Sequence, residues 1–138
     1  MNFLRKFNPE WSLRLGFGLM YLYSGSDLFF NPQHWYGFVP LWFSRIVTTI
    51  IPLETYLRVQ GVGEFMIGLL FLAWFLGVWG VRLASLAAVL EMALIIILVG
   101  INLITFRDIG LLGAAVALLV MTFSPQREIT KKELQSLK

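Results

Sequence analysis

Cysteine is absent from all 138 residues. That excludes disulfides, thiolate metal sites and any thiol redox relay carried by this chain. With them goes the thiol-exchanging kind of small four-helix membrane oxidoreductase. Histidine is nearly absent: His34 stands alone, in a stretch that reads as a loop, so no histidine pair can ligate a haem from within the chain. No metal ligand set is expected here, and any metal or haem belongs to a partner. Charge is scarce as well, at 14% of residues against 58% hydrophobic, where a soluble domain carries about a quarter charged residues. There are too few polar side chains to cover a surface in water, so the expected surroundings are a lipid bilayer. The net charge of +3 is modest and its basic residues are scattered, apart from a short cluster in the tail. This is read as membrane topology, with no nucleic-acid partner. No cleavable signal sequence is expected, because the first apolar stretch is long, carries Arg14 and Asp27, and lacks a small-residue cleavage site behind it.

What is present is long apolar runs. Crossing a hydrocarbon core about 30 Å thick takes roughly 20 helical residues. Four segments qualify, about 11–30, 57–77, 82–100 and 106–123. The last is short, with Arg107 able to snorkel outward. "LGVWGVR", Leu76 to Arg82, reads as a tight hairpin on its two glycines. "GINLITFRD", Gly100 to Asp108, is a second short link, and short links make the joined helices antiparallel neighbours. Between the first two spans, "NPQHWYGFVP" is dense in turn formers and aromatics. The following stretch to Pro52 has apolar pairs at 42/43, 46/47 and 50/51 and polar pairs at 44/45 and 48/49. That is helical periodicity too short to span, read as an interfacial or half-inserted helix over about 41–51, with an irregular loop as the alternative.

The expected fold class is therefore an all-α integral membrane protein, four transmembrane helices in an antiparallel bundle within one domain. Arg5, Lys6, Arg82, Arg127, Lys131, Lys132 and Lys138 fall on one side of such a bundle, and Arg45, Arg58 and Arg107 on the other. The positive-inside rule then puts both termini in the cytoplasm. Residues 124–138 read as a solvated cytoplasmic tail, with Thr130 and Glu133 spaced as a capping box.

The informative residues are the few ionisable ones inside these spans. Asp27 lies 13 residues after Arg14, which at 1.5 Å per residue is ~20 Å further along the first helix. Gln60 and Glu64 are one turn apart on the second. Glu91 lies nine residues beyond Arg82, near mid-bilayer. Asn102 closes the third span, and Arg107 and Asp108 open the fourth at the same level. A charge in hydrocarbon costs at least about 2.5–3.5 kcal/mol, so such groups face the bundle and find partners. Ala84 and Ala88 share a face with Glu91, Gly61 and Gly68 flank Glu64, and Gly110, Gly113, Ala114 and Ala117 share another face. These small residues are expected to let helices approach closely. The expectation is a polar cavity opening outward, made by Asp27, Gln60, Glu64, Asn102, Arg107 and Asp108, with Glu91 at its floor and Arg14 at the inner end.

Each residue also has a plainer reading. Asp27 and Asp108 can be solvated or capping groups, Arg107 a snorkelling residue, and Arg14 a positive-inside anchor. Glu64 and Glu91 can be an internal salt bridge or a structural carboxyl, or else a ligand, proton or partner site. The phenylalanine-rich stripes read as packing or lipid contact.

"RLGFGLMYLYSGSDLF" on the first helix, "GVGEFMIGLLFLAWFLGVWGVRLAS" across the second hairpin and "FRDIGLLGAAVALLVM" on the fourth together resemble the DoxX-like family of small four-helix membrane proteins. The resemblance covers about residues 12 to 123. Arg14, Gly25, Glu64, Arg82, Arg107 and Asp108 are the matching positions. It implies a bacterial or archaeal cytoplasmic membrane and association with other membrane subunits. Some relatives belong to a thiosulfate:quinone oxidoreductase, so a quinone nearby is also implied, with no cofactor held by this chain. The leading expectation is an accessory or anchoring subunit of a larger membrane complex, non-catalytic in itself. The alternative is a stand-alone carrier or binder of a small lipophilic or ionic solute in the outward cavity. A lipid- or quinone-modifying enzyme would need Glu64 and Glu91 to converge on a substrate.

Overall fold

The computed structural model describes residues 8–103 and 105–123, and among them all regular structure is helical. The tail at 124–138, and the basic residues at 5, 6, 127, 131, 132 and 138, lie outside the described residues. The elements are α1 (Pro9–Phe30), a 3₁₀ segment (Pro32–Phe38), α2 (Leu41–Thr48), α3 (Leu53–Leu72), a 3₁₀ turn (Trp74–Leu76), α4 (Gly77–Val99) and α5 (Phe106–Met121).

Local chemistry sets most of these boundaries. Asn8 caps α1 by accepting from the Glu10 amide at 3.0 Å, and Pro9 sits in the first turn, where no amide hydrogen is needed. Pro32 ends that helix, since it cannot continue the ladder. The expected loop after α1 is a regular 3₁₀ segment, and the short helix after it covers residues 41–48. The second reversal comes earlier than the two glycines of "LGVWGVR" suggest. The chain leaves α3 at Ala73 and turns at Gly77, whose φ of 56° is a backbone state that favours glycine. Gly80 lies already inside α4, buried with the Leu76 side chain 2.8 Å from where its Cβ would be. Gly100, at φ 78°, ends α4. Asn102 lies beyond that end and does not close α4. Its side chain accepts from the Thr105 amide at 3.0 Å, while Thr105 Oγ1 accepts from the Asn102 amide at 2.9 Å. This reciprocal pair shapes the link into α5.

The closest packing is between α1 and α3, whose backbones touch. A Cβ on Gly25 would lie 2.5 Å from the Phe65 nitrogen and 2.6 Å from the Gly61 oxygen, and one on Gly68 would lie 2.9 Å from the Leu22 nitrogen. Beside this seam, Phe17 stacks on Phe71 at 5.2 Å between ring centroids. Tyr21, Val81, Ala84, Ala88, Met92, Ala115 and Leu118 complete the core. Ala84 and Ala88 thus do face inward. Gly110 and Gly113 do not help helices approach: nothing lies within 4 Å of where their Cβ atoms would be. The fully buried residues of α5 are Ala115 and Leu118; Ala114 is partly buried against the core, and Gly110 borders a cleft beside Met20 of α1.

Three arginines close helix ends belonging to other helices. Arg14 on α1, 4% exposed, donates from Nε to the Phe71 carbonyl at 2.8 Å and from Nη2 to Ala73 at 3.3 Å. It also pairs with Glu10 at 3.6 Å and lies over the Trp11 ring. Arg58 on α3 returns the favour by donating to the Phe29 carbonyl at 2.7 Å. Arg82 on α4 donates to the Thr122 carbonyl at 2.8 Å, just past α5. Cations at helix C-termini satisfy orphan carbonyls and complement the macrodipole. Arg14 is thus a buried structural cap.

Among the described residues one stretch, Trp74–Val99, is long and apolar enough by itself to cross a membrane. Arg14 and Asp27 dilute the apolarity of α1, and Arg58, Gln60 and Glu64 that of α3, while α5 has 16 residues.

Gly25→Ala should lower the thermal unfolding midpoint in detergent, with an overpacking cost of about 1–3 kcal/mol. Gly16→Ala, at a position with nothing within 4 Å, should leave the midpoint unchanged or raise it. Arg14→Met should destabilise by about 1–3 kcal/mol for each carbonyl left unsatisfied. Arg14→Lys should recover only part of the loss, because an ammonium lacks the planar fork.

Candidate functional site

Glu64 is held in place by the glycine seam. Gly61 and Gly68 lie on the same face of α3, one turn before and after it, and bring α1 against that face. The acid between them is consequently buried. Its carboxylate accepts from Ser24 Oγ across the seam and from Gln60 Nε2, one turn back, at 3.3 Å. Glu91 reaches the same place from α4, on the face shared with Ala84 and Ala88. Its carboxyl stands beside Tyr21, Glu64 and Gln60. The Phe17, Tyr21 and Phe71 rings cluster together.

This arrangement is electrostatically unusual. Among the described residues neither Glu64 nor Glu91 forms an ion pair, so the expected alternative of an internal salt bridge is not met. Glu91 Oε2 and Tyr21 Oη are buried and have no hydrogen-bond partner among the described residues. Buried polar atoms are nearly always partnered. Two facing carboxyls can share one proton among four oxygens, and the resulting titration belongs to the pair. Such a pair with Ser, Gln and Tyr around it offers donors and acceptors together, suited to a carbonyl or hydroxyl head group or to a proton.

The remaining candidates divide into separate places. Gln60 belongs to the pair. Asp27 is a tether: it accepts from Asn31 Nδ2 at 3.0 Å and Trp35 Nε1 at 2.9 Å, and lies 3.2 Å from His34 Nδ1. These contacts fasten the 3₁₀ segment to the end of α1. Arg107 and Asp108 line a cleft of about 540 Å3 with Met20 from α1 and Gly110 and Leu111 from α5. Arg14 is at the far end, capping α3. In place of the single outward chamber expected from residue depths stand a carboxyl pair with Glu64 buried and Glu91 half-buried, a surface tether and a side cleft. Tyr21 and Ser24 were missed among the site residues. They were detectable in principle, since Phe17, Tyr21, Ser24 and Leu28 follow the spacing of one helix face.

Among the described residues no group of three or more His, Cys, Asp or Glu comes together as a metal site. Comparison with protein-family models, with curated proteins and with solved structures returned no match. The likeness to DoxX-like proteins therefore rests on the quoted residues.

Asp27→Ala should speed amide hydrogen exchange across residues 32–38 while leaving the α1–α3 seam protected. Unchanged exchange in that segment would mean that its own 3₁₀ bonds hold it.

Proposed function

We propose that this chain is a multi-pass membrane protein in which α1, α3, α4 and α5 are four spans with both termini cytoplasmic. We propose further that it serves as a DoxX-like subunit of a larger membrane complex and binds a small lipophilic molecule at Glu64 and Glu91. The distribution of polarity supports the membrane reading. Large apolar side chains such as Leu19, Leu83, Leu90 and Ile97 point outward, while Arg14, Glu64 and Ser85 are buried. That is the reverse of what water selects and suits hydrocarbon. Helices of 22, 20 and 23 residues match a hydrocarbon core about 30 Å thick at about 1.5 Å per residue, while α5, at 16 residues, falls short of it by about 6 Å. Exposed Trp74 and Trp79 mark one end and Tyr36 and Trp42 the other, as aromatic belts do.

The observation that carries the binding reading is the Glu64–Glu91 pair, without a cation and with an unpartnered Tyr21 hydroxyl beside it. An intramembrane ionisable residue is by default a functional-site candidate, and here two converge. A quinone head group has the matching chemistry, two carbonyl acceptors that become donors on reduction. This chain's residues would bind and orient it, and electrons would come from a partner subunit.

A short-chain ubiquinone titrated into the purified chain in mild detergent should bind saturably. The Glu64→Gln/Glu91→Gln double variant should weaken it about tenfold or more, equivalent to at least 1.4 kcal/mol. Equal affinity in the double variant would sink the binding reading. Recovery of the native chain alone, without other membrane subunits, would sink the complex.

A further inference from the structure

Tyr21 is 1% exposed, yet its hydroxyl has no hydrogen-bond partner among the described residues. Glu91 Oε2, on the neighbouring carboxyl, is buried and equally unpartnered. The Glu91 carboxyl stands within hydrogen-bonding reach of Tyr21, Glu64 and Gln60. Orphaned buried polar atoms of this kind mark the place of an ordered water or an ion. Glu64 is held differently. Its Oε2 accepts from Ser24 and its Oε1 from Gln60. Two neutral donors thus fix the carboxylate in one orientation, and each of its oxygens keeps a further lone pair. Three helices contribute: Tyr21 and Ser24 lie on α1, Gln60 and Glu64 on α3, and Glu91 on α4.

The acceptor atoms gathered here are oxygens, which suit a hard cation and not the softer metals that thiolate or imidazole selects. Charge narrows the choice. Two facing carboxyls that share one proton carry one negative charge between them. Among the described residues no basic side chain forms an ion pair with either acid. One monovalent cation brings the pair to neutrality, which apolar surroundings favour. A divalent ion would overshoot unless the shared proton left. We propose that Glu64, Glu91 and Tyr21 bind a sodium ion, with Ser24 and Gln60 holding Glu64 in position. The ion gives the Tyr21 hydroxyl and Glu91 Oε2 a common partner. It also ties α4 to the α1–α3 pair from inside. The site rests on the convergence of the two acids inside a membrane bundle, as in the reading above, and needs no quinone.

The test uses the full chain in mild detergent, exchanged into choline chloride and titrated with sodium chloride at constant ionic strength. Radioactive sodium should bind saturably, and unlabelled sodium but not choline should displace it. The Glu64→Gln/Glu91→Gln variant should bind at least about tenfold more weakly, the loss that even outer-shell substitutions cause at metal sites. Gly16→Ala, at a position with nothing within 4 Å, should bind as the native chain does. Thermal unfolding adds a readout that a merely structural hydroxyl would not give. In choline, Tyr21→Phe should unfold at or above the native midpoint, because it removes a buried hydroxyl without a partner. In sodium the native midpoint should rise by mass action, and that of Tyr21→Phe should rise less. No saturable binding by the native chain overturns the site, as does equal binding by the double variant. A Tyr21→Phe midpoint below the native one by the same margin in both salts overturns the part given to Tyr21. If the double variant fails to fold, the sodium dependence of Tyr21→Phe decides alone. Sodium binding without quinone binding removes the quinone reading and keeps the site. Quinone binding without sodium binding removes only the site.

Discussion

Contact between the backbones of α1 and α3 is the constraint on which the remaining structure depends. Gly25, Gly61 and Gly68 leave no space for a Cβ, and the approach they permit fixes everything placed along that seam. It sets Ser24 against Glu64. It brings the Arg14 guanidinium to the last carbonyls of α3, and Arg58 to the last turn of α1. A helix pair spaced by larger side chains would leave each of these groups short of its partner. The glycines thus hold the polar interior in register as well as packing the helices.

On the proposed membrane reading, the carboxyl pair shows how apolar surroundings change what counts as a stable core. In water, a domain that buried two acids without a cation would lose stability with each. Here Glu64 accepts from two uncharged donors, Ser24 and Gln60. Cations are available in the same helices, but they are committed elsewhere: Arg14, Arg58 and Arg82 each reach a terminal carbonyl. Basic groups close the ends of the bundle while acids meet in its middle. That separation of charge along the helix axes keeps the interior site free of an internal counter-ion.

Much of the helical layout was legible in the sequence because lengths of apolar run and glycine or proline punctuation act locally. The helix at 41–48 and the end of α4 at Gly100 both followed from such signals. The early turn at Gly77 was not legible. Two glycines three residues apart offer two turning points, and only the packing of Gly80 under Leu76 decides between them. Depth along a helix correctly set Gln60 near Glu64, but it could not separate Asp27, Arg107 and Asp108 from them, because depth carries no information on rotation about the bundle axis. Tyr21 and Ser24 went unnoticed among the site residues since neither is charged. Likewise the small-residue face at Gly110 and Gly113 looked like a packing surface, although α5 meets α4 through Ala115 and Leu118.

The mutual capping of α1 by Arg58 and α3 by Arg14 bears on how such a chain is assembled. These helices are not consecutive, since the 3₁₀ segment and α2 lie between them. A lone α1 would keep the pairing of Arg14 with Glu10 but lose its two carbonyl acceptors on α3, and a lone α3 would carry Glu64 with no donor from Ser24. Neither is comfortable in hydrocarbon without the other. If α1 and α3 are both spans, as proposed, their insertion favours retaining the first helix near the insertion machinery until α3 has emerged, so that the two partition laterally as one unit.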